Sequence, residues 1–242
     1  MEHPVTWTGL IGIPHGPWEY FAIGLLIMGI LLILAFKARG ELSKDSAVVP
    51  DETLSARNVF ELLVESIGNL SETVIGHGAE RYVPLLSSFF VFILVSNFMG
   101  LLPGFTPPTS DFNITFALGV VSFFAFNYWG FKAQGIGYLK HFAGPILWLA
   151  PLMFTLEIIS AFVRPVSLGL RLYGNLFGDH LVLEIFTGLT KVGVPVIFYM
   201  LGTLVTVIQA FVFTLLSMIY IALAVAHHDE GHEGHEEHAH SH

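Results

Sequence analysis

Apolar residues in this chain gather into runs long enough to cross a bilayer, and short polar segments separate them. A helix crosses the hydrocarbon core with about 20 apolar residues. Trp18 to Phe36 meets that length once, opened by an interfacial Trp18 and Tyr20 and closed by Lys37 and Arg39. Tyr82 to Leu102 is a second run, ended by Pro103-Gly104, and Ile114 to Phe131 is a third. Between them, Thr106-Pro107-Pro108-Thr109-Ser110-Asp111 is a set of helix breakers and reads as a loop. Lys132 to His141 reads as a basic, glycine-containing loop. Pro145 to Leu189 then keeps a mostly apolar helical pattern for about 45 residues, far more than one upright crossing needs. It must tilt, bend or lie obliquely, and Pro151, Pro165 and several glycines permit bending. Val194 to Ala226 is also long.

Two segments break this pattern. From Thr53 to Ile75, Val59, Leu62, Leu63, Ser66, Ile67 and Leu70 fall on one helical face, while Glu61, Glu65 and Asn69 fall off it. That is an amphipathic helix, lying on the surface or packed on its neighbours rather than spanning. From His227 onward the chain is a His/Glu/Gly tail with nothing to bury, and disorder is expected there. No internal repeat is visible, which speaks against an inverted-repeat transporter.

Composition agrees with the pattern. The chain is 54% hydrophobic and 12% charged, against about 25% charged in soluble domains. Mean hydropathy is +0.70. The expected class is therefore all-α: a polytopic integral membrane protein of about five membrane-embedded helices, two of them long and tilted at the C-terminal side, plus one amphipathic helix. The net charge of −9 says little about partners, because ten of the 19 acids precede Arg81 and five more (Asp229, Glu230, Glu233, Glu236, Glu237) lie in the tail. No basic patch suggests nucleic acid. Cysteine is absent, which excludes disulfide and thiol chemistry. No Lys or Arg precedes Lys37, so the first run lacks the charged start of a secretory signal and reads as a retained span. No Gly-x-x-x-x-Gly-Lys-Ser/Thr occurs, so the chain has no ATP loop of that kind.

Basic residues set the orientation. Lys37, Arg39, Lys44, Arg57 and Arg81 lie between the first and second runs, and Lys132 and Lys140 follow the third. On the opposite side, connecting segments hold only Lys191. With five crossings, that asymmetry puts the N-terminus outside and the tail inside.

The candidate chemistry lies within the apolar helices. Arg171 sits in the middle of the fourth run, where a cation costs roughly 2.5 to 3.5 kcal/mol on insertion scales. A guanidinium cannot shed its charge, so it needs an anion, an aqueous cavity or a task. At about 100° per residue, Asn175 lies one turn on and nearly on the same face, and Asp179 is about 80° round from Arg171. Glu157 lies roughly 21 Å before Arg171 along the axis and about 40° off its face. His180 is on the opposite face, as a group serving a different neighbour would be, and Glu184 follows one turn later. Gln209 is the main polar side chain of the last run, with Thr203, Thr206 and Thr214 near it. One permanent cation is thus flanked by separated titratable groups. A proton path needs groups that exchange protons, divided by one that cannot, and Arg171 meets the second need.

Other readings of the same residues exist. Arg171 could form a structural ion pair with Glu157, Asp179 or Glu184. Asn175, Gln209 and the threonines could be interhelical hydrogen-bond glue, and Gly169, Gly174 and Gly178 could serve close helix approach. Arg164, next to Pro165, suits a bend or an interface. Asp111 suits a helix cap near Asn113 and Thr115, or the lining of a vestibule. A divalent-metal transporter is the rival function, with the His-rich tail collecting metal and Glu157, Asp179, His180 and Glu184 as ligands. A fixed cation among the ligands argues against it. A purely structural scaffold leaves the buried charges unexplained.

At these residues the chain resembles subunit a of the F-type ATP synthase, the membrane stator that faces the rotating c-ring. Ser167-Leu168-Gly169-Leu170-Arg171-Leu172-Tyr173-Gly174-Asn175 is similar to that family's most distinctive motif, and Ile208-Gln209-Ala210-Phe211-Val212-Phe213 to its second. Asn113-Ile114-Thr115 and Phe131-Lys132-Ala133-Gln134-Gly135 match weaker family patterns, and the likeness covers about residues 15 to 226.

The resemblance implies a proton-translocating channel subunit, not catalytic alone, with no cofactor and no bound metal. Its implied partners are the c-subunit ring, the b-subunit peripheral stalk, the rest of the ATP synthase complex and the lipid bilayer. Its implied location is a bacterial inner membrane. Arg171 would face the c-subunit carboxylate, force its deprotonation and block a direct leak between two offset half-channels. Asn175, Asp179, His180 and Gln209 would line the outer half-channel, and Glu157 would belong to the inner one. The chain departs from the pattern at His180, where many members carry Glu, and at Gly202, where some carry His. Outer proton uptake would then rest on Asp179 or Glu184. The expected organisation is an outer N-terminal segment 1–17, a membrane domain 18–226 and a disordered tail 227–242. Within the membrane domain lie an amphipathic helix at about 53–75 and channel helices at about 145–190 and 194–226.

Overall fold

The computed structural model describes residues 17–42, 56–102, 105–135, 150–189 and 193–226. The N-terminal segment, the tail, Lys191 and residues 145–149 lie outside the described residues. Within them the chain forms α1 (Pro17–Leu42), α2 (Ala56–Ile75), α3 (Val83–Gly100), α4 (Phe112–Gln134), α5 (Ala150–Leu189) and α6 (Gly193–Ala226). Two 3-10 turns, Ala79–Arg81 and Pro108–Ser110, precede α3 and α4, and no strand occurs among the described residues. All the helices but α2 are long and apolar enough to cross a membrane, as the hydrophobic pattern predicts.

Local chemistry sets the boundaries. A proline opens α3 in its first turn, where the missing N–H costs nothing. Asp111 caps α4 by accepting from the Asn113 N–H at 2.8 Å, which is the cap reading of that residue. Gly135 ends α4 with φ 57°, and its N–H donates to Phe131 O at 2.8 Å. Lys132, expected in a loop, therefore belongs to the last turn of α4. There a cation suits the carbonyl end of the helix, and its Nζ stands 5.0 Å from the Trp129 ring centroid.

The segment 105–111 interrupts the α-helices, as its breakers predict, and it is tightly packed. Pro107, Pro108 and Thr109 are buried. Thr109 Oγ1 donates to Asn97 Oδ1 at 2.6 Å, and Ser110 Oγ donates to Pro107 O at 2.8 Å. Prolines fix the backbone and hydroxyls satisfy their neighbours, so a breaker-rich segment becomes a packed turn.

The core lies among α3, α4, α6 and the inner side of α5. It contains Leu86, Phe89, Ile93, Phe126, Leu172 and Phe213, with Phe89 and Phe213 in an edge-to-face contact at 5.6 Å. A Ser122–Ser217 hydrogen bond of 2.9 Å ties α4 to α6 inside it. The amphipathic α2 packs through Leu63, Ile67, Leu70 and Val74, the first three of them on the face read from the sequence, while Leu62 and Ser66 at the edge of that face do not pack. Leu62 is 64% exposed and Ser66 is exposed, because the contact stripe runs 63, 67, 70, 74.

Helix α5 has 40 residues and Pro165 in its interior. At about 1.5 Å per residue it measures roughly 60 Å, twice a hydrocarbon core of about 30 Å, which is more than one upright crossing needs. It is held most closely by α4. A Cβ added at Gly119 would lie 2.4 Å from Pro165 O, and one at Gly169 would lie 3.0 Å from both Phe116 Cα and Thr115 O. The two backbones touch at this crossing, and only glycine fits there. Away from α4, α5 and α6 leave a wide apolar surface uncovered, including Val163, Leu170, Leu181, Met200, Leu204 and Ile208.

Candidate functional site

Arg171 stands half a turn beyond the Gly169 crossing. Its side chain is exposed, and it forms no ion pair or hydrogen bond among the described residues. The structural ion-pair reading therefore has no support. Glu157 instead meets Arg164, with Oε1 to Nη2 at 3.7 Å. The Arg164 guanidinium also lies 5.9 Å from the Phe126 ring centroid and 5.6 Å from that of Tyr220, bridging α5 to α4 and α6. The bend-or-interface reading of Arg164 resolves to that three-helix contact. Both groups of the ion pair are about one-third exposed, so solvent screens it and it contributes little stability.

One turn beyond Arg171, Asn175 reaches across to α6. Its Nδ2 donates to Gln209 Oε1 at 2.6 Å. Gln209 is 5% exposed, and its Nε2 is buried with no hydrogen-bond partner. An unsatisfied buried donor costs roughly 1 to 3 kcal/mol, so this amide is poised to bind a further acceptor. The two polar residues of the strongest motifs thus converge beside the exposed guanidinium. On the Arg171 face, Ser160, Ser167, Gly174 and Gly178 lie within about 60° of it. Added Cβ atoms at Gly174 and Gly178 would meet nothing within 4 Å, so these glycines do not serve packing inside this chain.

Towards the end of the bundle that carries the 105–111 turn, a cleft opens between α3, α5 and α6. Asp179, His180, Asn97, Gly202, Thr206 and Tyr199 line it. Its cavity volume is about 20 Å³, enough for one water among several polar groups. Helical geometry had set His180 apart, to serve a different neighbour. In the structure His180 lines this cleft and Arg171 does not; Asp179 and His180, consecutive residues about 100° apart, flank the one groove. Glu184 follows one turn later in α5, and its side chain lies outside the described residues.

Two polar residues of this region escaped the sequence reading. Asn97, 1% exposed near the end of α3, lines the cleft and is held by Thr109. Its signal was an amide inside an apolar run, masked by the run's high hydropathy. Glu19, 3% exposed in the first turn of α1, accepts from Thr106 Oγ1 at 3.1 Å. An acid between Trp18 and Tyr20 looks interfacial in sequence, and its contact with the 105–111 turn is not visible there.

Among the described residues the metal-transporter ligand set does not assemble. Glu157 and Asp179 are 22 residues apart on one helix, about 33 Å. Glu157 also faces a guanidinium, and no group of three or more His, Asp or Glu gathers among the described residues.

Sequence comparisons agree with the geometry. Residues 21–222 match the family described as ATP synthase A chain. Among similar curated proteins, ATP synthase subunit a of Bdellovibrio bacteriovorus is 46% identical over 224 residues, covering 91% of this chain and 97% of that one. ATP synthase subunit a of Geotalea daltonii is 43% identical over 222 residues, covering 92% and 93%. That of Trichlorobacter lovleyi is 50% identical over 165 residues, covering 68% and 72%. These relatives and the five candidate spans make the chain a multi-pass protein of a bacterial inner membrane. A family match over residues 21–222, with relatives 43–50% identical over most of its length, means that the chain belongs to the ATP synthase A chain family.

Proposed function

We propose that this chain conducts protons to and from a carboxylate on the c-subunit ring through two offset half-channels, coupling the ion gradient to rotation and ATP synthesis. As a member of its family it is a non-catalytic membrane subunit, and the rest of the ATP synthase complex is its partner. Within that complex the c-ring and the b-subunit peripheral stalk are its neighbours.

The observation that carries the reading is Arg171. It is a permanent cation in a membrane helix, exposed on an apolar surface and unpaired within the described residues. Such a group needs an anion from outside the chain. A carboxylate passing on a neighbouring rotor supplies one, and the small residues around Arg171 leave room for it. Arg171 holds that carboxylate ionised and, being unable to titrate, stops protons passing straight between the half-channels. The Asn175–Gln209 pair orients the approach, and the orphan Gln209 Nε2 offers a hydrogen bond to the carboxylate or to a water. Asp179 and His180 in their cleft, with Glu184 beyond, form the outer half-channel. Glu157, at the opposite end, belongs to the inner one. Segment 1–17 lies outside, and residues 227–242 inside.

Inverted vesicles carrying the assembled complex test this reading. Acid in the lumen is expected to drive ATP synthesis, and vesicles lacking this chain are expected to make none. Zinc uptake that needs this chain, without proton-coupled ATP synthesis, would restore the metal-transporter reading.

A further inference from the structure

Among the described residues three buried side-chain atoms have no hydrogen-bond partner in the protein: Ser87 Oγ, Ser96 Oγ and Gln209 Nε2. A hydroxyl inside a helix can return to the carbonyl four residues back, as those of Ser88 and Thr214 do at 2.6 and 2.9 Å. Ser96, 0% exposed, does not. An orphaned polar group in an apolar bundle is costly, and an alanine would fill the same place without that cost. The hydroxyl points to something that it binds.

Two of the three orphans share one seam. Helices α3 and α6 run antiparallel, with Phe89 against Phe213 at 5.6 Å and Leu101 Cδ2 3.5 Å from a Cβ added at Gly202. Counted from the Phe89–Phe213 contact, Ser96 is seven residues along α3 and Thr206 seven residues back along α6, so they stand at about the same level. Seven residues return a helix to within about 20° of the same face, and four to within about 40°. Ser96, Thr206 and Gln209 therefore all face the seam that the two phenylalanines mark. Gln209 lies three residues from Thr206, about 4.5 Å along the axis. Two hydrogen bonds of about 2.8 Å span that distance, so one water reaches both orphans. Ser87 is about 180° round α3 from Ser96 and faces elsewhere.

The seam joins the two parts of the site. At one end Thr206 lines the cleft that holds Asp179 and His180, as does Asn97, the residue after Ser96. At the other end Gln209 accepts from Asn175 Nδ2 at 2.6 Å, one turn from Arg171. No hydrogen bond among the described residues joins the cleft to that pair, and the two orphans stand between them.

We propose that Ser96 is a positioning residue that, with Gln209 Nε2, holds a water linking the Asp179–His180 cleft to the Asn175–Gln209 pair. Gln209 Nε2 donates to the water oxygen, and the water donates one hydrogen to Ser96 Oγ, with the Thr206 hydroxyl as a third partner. A proton enters this water from the cleft side as another leaves it towards the rotor carboxylate. The water is regenerated, and Ser96 and Gln209 stay neutral. This role rests on the channel reading and supplies a link within it.

Two measurements on the assembled complex test it. A density map sharp enough to show waters should hold one within about 3.2 Å of both Ser96 Oγ and Gln209 Nε2, and a dry seam overturns the proposal. ATP synthesis driven by an acid lumen in inverted vesicles is then compared for native chain, Ser96→Ala and Ser96→Thr. Ser96→Ala should lose about fivefold in rate, the effect of one hydrogen bond on a barrier, with the amount of this chain in the complex near native. Ser96→Thr keeps the hydroxyl and should restore most of the rate. A Ser96→Ala rate equal to native overturns the proposal. So does an equal loss in both variants, which marks a packing role. If Ser96→Ala fails to assemble, the native map decides. Absence of acid-driven synthesis in the native vesicles would instead sink the channel reading itself, whereas native synthesis over a dry seam sinks this link alone.

Discussion

The Gly119→Ala substitution probes what holds Arg171 in place. The added methyl would sit 2.4 Å from Pro165 O, well inside the usual carbon–oxygen contact, and the obstacle is backbone rather than a movable side chain. No rotamer change relieves it, so α4 and α5 must separate by nearly 1 Å, a displacement that tight cores resist. Overpacking costs typically 1 to 3 kcal/mol, and a backbone-on-backbone clash belongs at the upper end, about 3 kcal/mol. That is about a hundredfold in an equilibrium constant. Gly169 faces Phe116 and Thr115 across the same crossing, so the separation is transmitted to the turn of α5 that carries Arg171. The assay is the fraction of this chain retained in the detergent-solubilised complex on heating, with ATP-driven pumping measured on the survivors. Gly119→Ala should leave the complex at a clearly lower temperature, and its survivors should pump poorly. Gly174→Ala serves as the control, because its methyl meets nothing within 4 Å in this chain and should leave the isolated fold intact. Equal retention and equal pumping for Gly119→Ala and native chain would refute the argument that this crossing sets the position of Arg171.

Two further outcomes follow from the site. Asn175→Leu removes the 2.6 Å bond to Gln209 and leaves a buried amide with no partner; interhelical bonds of this kind are worth about 0.6 to 2 kcal/mol, so pumping should drop while the complex still assembles, as read by fluorescence quenching beside a content blot. Arg164→Gln removes a screened ion pair worth at most about 1 kcal/mol together with two ring contacts, so thermal retention should shift only slightly, whereas loss of assembly would show that the three-helix contact matters more than its exposure suggests.

Much of the fold was legible because apolar run length is set by bilayer thickness. The five spans and the excess length of α5 follow from counting residues. The face of α2 was harder, since Leu62 and Leu63 are equally apolar and only tertiary contact decides which one packs. The 105–111 loop was legible from its breakers, but its tight packing was not, because prolines that break helices also rigidify turns. In the candidate site, Arg171, Asn175 and Gln209 were visible as polar groups in apolar helices. The pairing of Asn175 with Gln209 spans two helices and needed the fold. So did the convergence of Asp179 and His180, because a helical wheel orders residues about one axis and cannot show a groove between three. Asn97 and Glu19 become informative only when the 105–111 turn is folded over them.

The central claim is that Arg171 both serves the rotor carboxylate and separates two proton paths. Its most direct test is ATP-driven proton pumping and passive proton leak in the same vesicles, with native and Arg171→Ala chains in fully assembled complexes. The account predicts that pumping and ATP synthesis are abolished in the variant, with passive leak raised or retained because protons can still enter the half-channels. Normal pumping with Arg171→Ala would contradict it and reduce the arginine to a structural cation.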